Sequence, residues 1–363
     1  MRAPRRLSSP ATAAETGVSR REVGRIPEDA GAGPGAVARF DAYQQEHRWV
    51  GLPLAVVYKF FDDQGGYLVA LITYYAFLSL FPLLLVLVTT LGFVLSGDPA
   101  LQQRVLESAL AQFPVIGTQL GQNVRSLRGN GVALVIGLAA SLYGGLGVAQ
   151  AAQAALNRVW AVPRNSRPNP LRARARSLLV LLVVGTGVLA TTVVTGATAT
   201  VGTFLPDPGY AVRVLTIAAT TVLNALLLVL AFRLLTARAV ALRDIRGGAI
   251  GAAVAWQVLQ LVGGYYVADR LQGASATYGL FGIVLGLLGW LWLAALTLVL
   301  AAEVNAVRAR RLWPRSLLTP FTDDVELTEA DEAAYTSYAK SERHKGFQTV
   351  DVDFEGDPER ERD

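Results

Sequence analysis

Six apolar stretches set the pattern of the chain. They lie near 67–95, 131–156, 178–204, 211–232, 248–268 and 279–302, and between 67 and 307 the charged residues are confined to the gaps that separate them. Each stretch is long enough to cross a hydrocarbon core about 30 Å thick, which takes roughly 20 helical residues. The third, with Thr191, Thr192, Thr195, Thr198 and Thr200, has the β-branched content of a strand. In lipid each segment must satisfy its own backbone N–H and C=O groups, so the same residues predict a helix. The pattern predicts an all-α, polytopic membrane protein with six transmembrane helices.

The flanking segments follow other patterns. Residues 1–48 are rich in Ala, Pro, Gly, Ser and Arg without a sustained apolar period, and they predict a disordered basic tail drawn to anionic lipid. No apolar run follows the first arginines, so no cleavable signal peptide is expected. A membrane domain spans 49–312. It opens with residues 49–62, apolar and aromatic around Lys59, which predict a short helix lying in the interface. Between the first two crossings, residues 96–130 place Leu101, Val105, Ala109 and Phe113 at helical spacing, which predicts an amphipathic helix on the outer face. Residues 313–363 are acidic and predict a largely disordered tail.

Composition agrees with a chain that lacks the polar side chains a water-facing surface needs. The hydrophobic set makes up 52% of the residues and charged residues 17%, where a soluble domain carries about 25% charged. The net charge of +5 hides a basic body and an acid tail: residues 1–320 hold 28 basic and 14 acidic side chains, residues 321–363 hold 5 and 14. The arginines are also unevenly shared among the gaps. Arg158, Arg164, Arg167, Arg172, Arg174 and Arg176 follow the second stretch, Arg233, Arg238, Arg243 and Arg246 the fourth, and Arg308, Arg310, Arg311 and Arg315 the sixth. Arg213 and Arg270 stand in the gaps after the third and fifth. The positive-inside rule then predicts that both termini are cytoplasmic.

Polar groups inside such a bundle are the candidate functional residues, because lipid makes them costly. Glu303 is the one acid in the apolar run that begins at Tyr278. It is read either as a proton or cation site or as an interfacial carboxylate paired with an arginine such as Arg158 or Arg246. Asn305, two residues on, points about 200° away on a helix. Gln150, Gln153 and Asn157 fall on one face of the second crossing, with Tyr143 a repeat earlier, and Gln257 and Gln260 make a second stripe on the fifth. These stripes either line a polar path or serve as interhelical hydrogen bonds. Gly247-x-x-x-Gly251 and Gly282-x-x-x-Gly286 match the small-residue pattern that lets helices approach. Packing within one chain is the favoured reading, and a homo-oligomer stays open. Pro82 predicts a kink in the first crossing, and Trp49, Trp160, Trp313 and Tyr210 predict interface anchors.

The chain resembles a known family at two places. The first crossing carries Tyr74-Tyr75-Ala76-x-x-Ser79-x-x-Pro82, and the last opens on Thr277-Tyr278-Gly279 and closes on Glu303-Val304-Asn305, with Asn157-Arg158-Val159-Trp160 between them. Together these resemble the YihY/BrkB family of six-helix bacterial inner-membrane proteins, over roughly residues 45–312. The resemblance implies a multi-pass plasma-membrane protein, some of whose relatives have carried a ribonuclease BN label. Metal-dependent phosphodiester cleavage needs clustered His or carboxylate ligands beside a basic groove. With no cysteine, two histidines and scattered acids, the chain shows no such cluster. A nuclease, a nucleic-acid partner, a metal and a cofactor are therefore not expected. No G-x-x-x-x-G-K-[ST] loop is present, and Ser79 has no membrane histidine to activate it. The expectation is a non-enzymatic, ATP-independent transporter or translocation factor for an envelope-related small molecule or lipid. The alternative is a scaffold that holds partners through its cytoplasmic tails; the sequence names no protein partner.

Overall fold

The structure, a computed structural model, describes residues 35–94, 131–204, 210–266, 272–322 and 325–354. Among them are nine α-helices and no strand: α1 (Ala36–Glu46), α2 (Arg48–Asp62), α3 (Gly65–Val94), α4 (Gly131–Val159), α5 (Pro170–Phe204), α6 (Tyr210–Leu235), α7 (Leu242–Tyr266), α8 (Gln272–Arg310) and α9 (Glu329–Ser341). Each predicted apolar stretch coincides with one of α3 to α8. Among the described residues four segments are long and apolar enough to cross a membrane: Val135–Val159, Val214–Leu235, Leu242–Gly263 and Val284–Arg310. The threonine-rich stretch is helical, and two described hydroxyls turn back onto the helix. Thr186 donates to the Leu182 carbonyl and Thr191 to that of Val188, each at 2.8 Å. The amphipathic helix expected within 96–130 falls outside the described residues. Pro82 lies within α3, which runs unbroken from Gly65 to Val94.

Helix α8 is the hub, packing on α2, α3, α4 and α7, while α4 also meets α5 and α6. Small residues set the close approaches. Ala151 and Ala155 of α4 meet Val69 and Ile72 of α3 and Ala295 and Val299 of α8. A Cβ on Gly144 would fall 2.6 Å from the Ser79 Cβ, and one on Gly147 would fall 2.2 Å from the Tyr75 ring. The family-motif residues Tyr75 and Ser79 thus serve the α3–α4 contact, while Tyr74 is exposed.

The glycines of α7 pack differently from the predicted Gly247-x-x-x-Gly251 pair. Gly251 faces open space and a Cβ on Gly247 would meet only the mobile tip of Arg308. The α7–α8 contact is made instead by Gly248, where a Cβ would stand 2.2 Å from the Ala301 carbonyl oxygen. Both glycines are directed at α8, but Gly247 meets the end of a flexible side chain and Gly248 meets backbone, so Gly248 marks the close approach of the two helices. Gly282 and Gly286 are half-buried.

The described parts of both tails are helical where disorder was expected, while residues 1–34 and 355–363 fall outside the described residues. Residues 36–46 form α1, with Gln44 fully buried, and residues 329–341 form α9. The latter starts with a capping box, Thr328 accepting from the Asp331 N–H while the Asp331 carboxylate accepts from the Thr328 N–H. Composition misled here because a tail rich in acid can still fold when particular acids find buried arginines. Trp160 also departs from its reading as an interface anchor: it is 4% exposed and belongs to the core with Leu156, Phe232 and Ile245. Trp313 is half-buried with Arg48 above its ring at 5.5 Å, whereas Trp49 is 70% exposed. The Tyr210 side chain is outside the described ones.

Candidate functional site

The polar residues of the bundle are directed at three different neighbours. On α4, Gln153 is buried and donates to the Ser177 hydroxyl at 2.7 Å and the Ala173 carbonyl at 3.1 Å, both on α5. Asn157, also buried, accepts from the Ala237 N–H at 2.8 Å in the link between α6 and α7. Gln150 and Tyr143 share that face yet are exposed. The α6–α7 link meets α4 at Asn157, near its C-terminal end, while Gln150, about two turns earlier, is left uncovered. Asn305 accepts from the Gly248 N–H at 2.7 Å, tying α8 to the second turn of α7. Gln257 and Gln260 are half-buried on α7. Thr277, Tyr278 and Gly279 lie in α8, and their side chains, like that of Pro82, are outside the described ones.

Glu303 points the other way, to α2. Its carboxylate lies 3.2 Å from the Lys59 ammonium, and Lys59 also holds Asp63 one turn along the same helix. All three side chains are 0% exposed. The partner is thus a lysine rather than Arg158 or Arg246. Arg158 reaches the same cluster from α4, with its Nε 3.4 Å from Asp63, and Arg246 is exposed. Two buried carboxylates therefore share one fully buried ammonium, and the partly exposed Arg158 completes the charge. Lys59 is held further by the face of Tyr338 on α9, 5.6 Å from its ammonium, a favourable placement for a cation.

A second buried ion pair lies beside the first. Arg315, 1% exposed, binds Asp331 of α9 and reaches Asp62 of α2 at 3.3 Å, with the Tyr335 ring 5.3 Å away. Asp331 also accepts from the Ser316 N–H at 2.9 Å. Burial opposes the charge on Arg315, yet Asp331 and Asp62 hold its pKa above the ordinary arginine value. Burial pushes the Asp62 carboxyl up, against the pull of Arg315. Burial, with Asp63 and Asp62 nearby, pushes the Tyr338 hydroxyl up as well, so it stays protonated and donates to Asp62 at 3.4 Å. The segment around Arg315 is further pinned by Gln44, which donates to the Arg315 carbonyl at 2.6 Å, and by Tyr58, which donates to that of Leu317 at 2.7 Å.

The C-terminal segment closes over this region. Glu342, just past α9, accepts from Arg164 at 2.7 Å and Arg158 at 3.2 Å, and the Asn165 N–H donates to the Arg343 carbonyl at 3.0 Å. The hydrogen bond from Arg164 holds the Glu342 carboxyl below the usual glutamate range, with slight opposition from burial. A group whose pKa is lowered by docking stabilises the docked form above its ordinary range, and that contribution fades as the pH falls through the lowered value. These groups are a third to a half exposed, so the gain is about 0–1 kcal/mol and is screened by salt. Glu342→Gln is expected to speed proteolytic cleavage of residues 342–354 modestly at neutral pH and low salt. The difference from the parent should vanish in acid or at high salt, and an equal difference under all conditions would exclude the ion pair.

Lys59, Asp62, Asp63 and Arg315 are not among the candidate functional residues that the sequence suggests. Their one local signal is the Lys59-x-x-x-Asp63 spacing, which places opposite charges one turn apart. Among the described residues no group of three or more His, Cys, Asp or Glu side chains is arranged to hold a metal.

The fold and the charge cluster define a helical, integral membrane class of protein, with buried ion pairs where the helix ends meet α2 and α9. The family model for virulence factor BrkB matches residues 56–321, and the chain belongs to that family, as the motifs in α3 and α8 indicated. The matched region contains Lys59, Asp63, Glu303 and Arg315 and ends before α9. No curated protein and no solved structure matches the chain.

Proposed function

We propose that the protein crosses the bacterial inner membrane six times, with both termini cytoplasmic, and moves an envelope-related small molecule or lipid without ATP. Helices α3 to α8 supply the crossings. The arginine-rich gaps meet at one end of the bundle, where Asn157 binds Ala237 and Asn305 binds Gly248, which supports a single cytoplasmic face. Arg172, Arg174 and Arg243 are exposed there and suit anionic lipid headgroups.

The transport reading rests on one observation, the fully buried Lys59–Asp63–Glu303 cluster between α2 and α8. A carrier driven by a proton gradient can use a buried charge whose pairing is linked to helix packing. Two carboxylates competing for one lysine give such a link: protonating either one leaves the lysine to the other and loosens one helix contact. Proteoliposomes holding the purified protein are expected to move lipid or solute above empty controls under a pH gradient. Glu303→Gln should keep flux but remove its dependence on that gradient. A scaffold would give no flux in either preparation, and that result would overturn the proposal.

A further inference from the structure

Helix α2 has two faces of unlike chemistry. Around most of its circumference it is buried or half-buried, with Ala55, Val56, Tyr58 and Lys59 against α8 and α9. What remains exposed past Arg48 is a ridge one residue wide: Trp49, Pro53, Val57 and Phe61, each four residues after the last. Trp49 is 70% exposed and Phe61 71%. A helix docked on a water-soluble body turns charged or polar residues outward. Single exposed apolar residues are common, but four in succession on one ridge, with no polar residue among them, mark a surface that meets something apolar.

We infer that this ridge lies in the interface of the lipid bilayer, with the α2 axis along the membrane plane. Two observations favour lipid over a protein partner. The next helix in the chain, α3, shows the same kind of ridge, with Tyr67, Leu71, Tyr74 and Leu78 exposed, and α3 is the first proposed crossing. The residues are also those that the headgroup boundary favours: an indole at one end, a phenyl ring at the other and tyrosines nearby. Trp49 meets Tyr43 of α1 edge-on, with ring centroids 6.3 Å apart, so two amphipathic rings share that end. The consequence is mechanical. Lys59 lies on the buried side of the helix whose outer ridge touches lipid, so depth and tilt in the bilayer are transmitted to the residue that holds Glu303.

This inference depends on the membrane reading but not on transport, and its test uses no flux measurement. The full chain is placed in vesicles of phosphatidylcholine and phosphatidylglycerol, with acyl chains brominated near the headgroup, and tryptophan emission is compared with that of Trp49→Phe. The emission that disappears in Trp49→Phe is expected to be quenched by the brominated lipid and spared by iodide in the water. In a Val57→Asp, Phe61→Asp variant, that same emission should shift to the red and become open to iodide. Both side chains are exposed, so the variant is expected to keep its helical circular dichroism. Quenching of Trp49 by iodide alone in the parent would show a water-facing ridge. Protection from both quenchers would show a second protein chain covering it. Either outcome overturns the inference, as does an unchanged response in a folded variant.

Discussion

Replacing Lys59 with methionine is expected to destabilise the protein by about 3–5 kcal/mol, the usual cost of leaving a buried charge without its partner. Methionine keeps the length and most of the apolar stem of lysine, so the packing of α2 against α8 is largely preserved and the loss reports charge. Glu303 and Asp63, both inaccessible to water, would face each other with the more distant Arg158 offsetting them in part. Thermal unfolding of the purified protein in detergent measures the effect. The triple variant Lys59→Met, Asp63→Asn, Glu303→Gln should recover most of the loss, because a buried ion pair contributes little net stability once both sides are neutralised. A neutral Lys59→Met would mean that water reaches the cluster. A triple variant no better than the single would mean that the methionine disturbs packing.

Arg315→Met is the second large effect, again about 3–5 kcal/mol, but its expected form is local. Asp331 would keep the Ser316 N–H and its own helix cap while losing its only described cation, and Asp62 would lose the guanidinium that offsets its burial. The segment that depends on these bonds is α9 and the turn before it. Hydrogen exchange should therefore rise across residues 325–341 with little change in α4 to α8. Arg315→Lys is expected to rescue this only in part, since an ammonium lacks the fork that lets one side chain reach Asp331 and Asp62 together. Uniform loss of protection along the whole chain would contradict a local latch, and unchanged protection in α9 would show that the ion pair does not hold it.

The helices were legible in the sequence and most of the charge chemistry was not. Glu303 stood out because it is an acid in a long apolar run, a property of one segment. Its partner did not: Lys59 sits before the first crossing, and nothing in the run around Glu303 points to it. The same limit explains the polar stripe. Gln150 and Asn157 lie one heptad apart on α4, so periodicity treats them alike, yet only Asn157 has a neighbouring link to cover it. Gly248 rather than Gly251 meets α8 because the rotation of α7 about its axis is set by its neighbours. For the C-terminal tail, acidity suggested a solvated chain. Thr328-x-x-Asp331 was a readable cap, but the burial of Asp331 against Arg315 depends on two segments returning to the same place.

The sequence by itself determined the membrane class, the helical form of each apolar stretch and the sorting of arginines to alternate gaps. These are local consequences of a solvent that offers no hydrogen bonds and has a fixed thickness. Only the tertiary structure decided which charges meet: Lys59 with Glu303 and Asp63, Arg315 with Asp331 and Asp62, Glu342 with Arg158 and Arg164. A buried charge needs a counter-charge within a few ångströms, and whether one arrives depends on how helices distant in sequence rotate and close on one another.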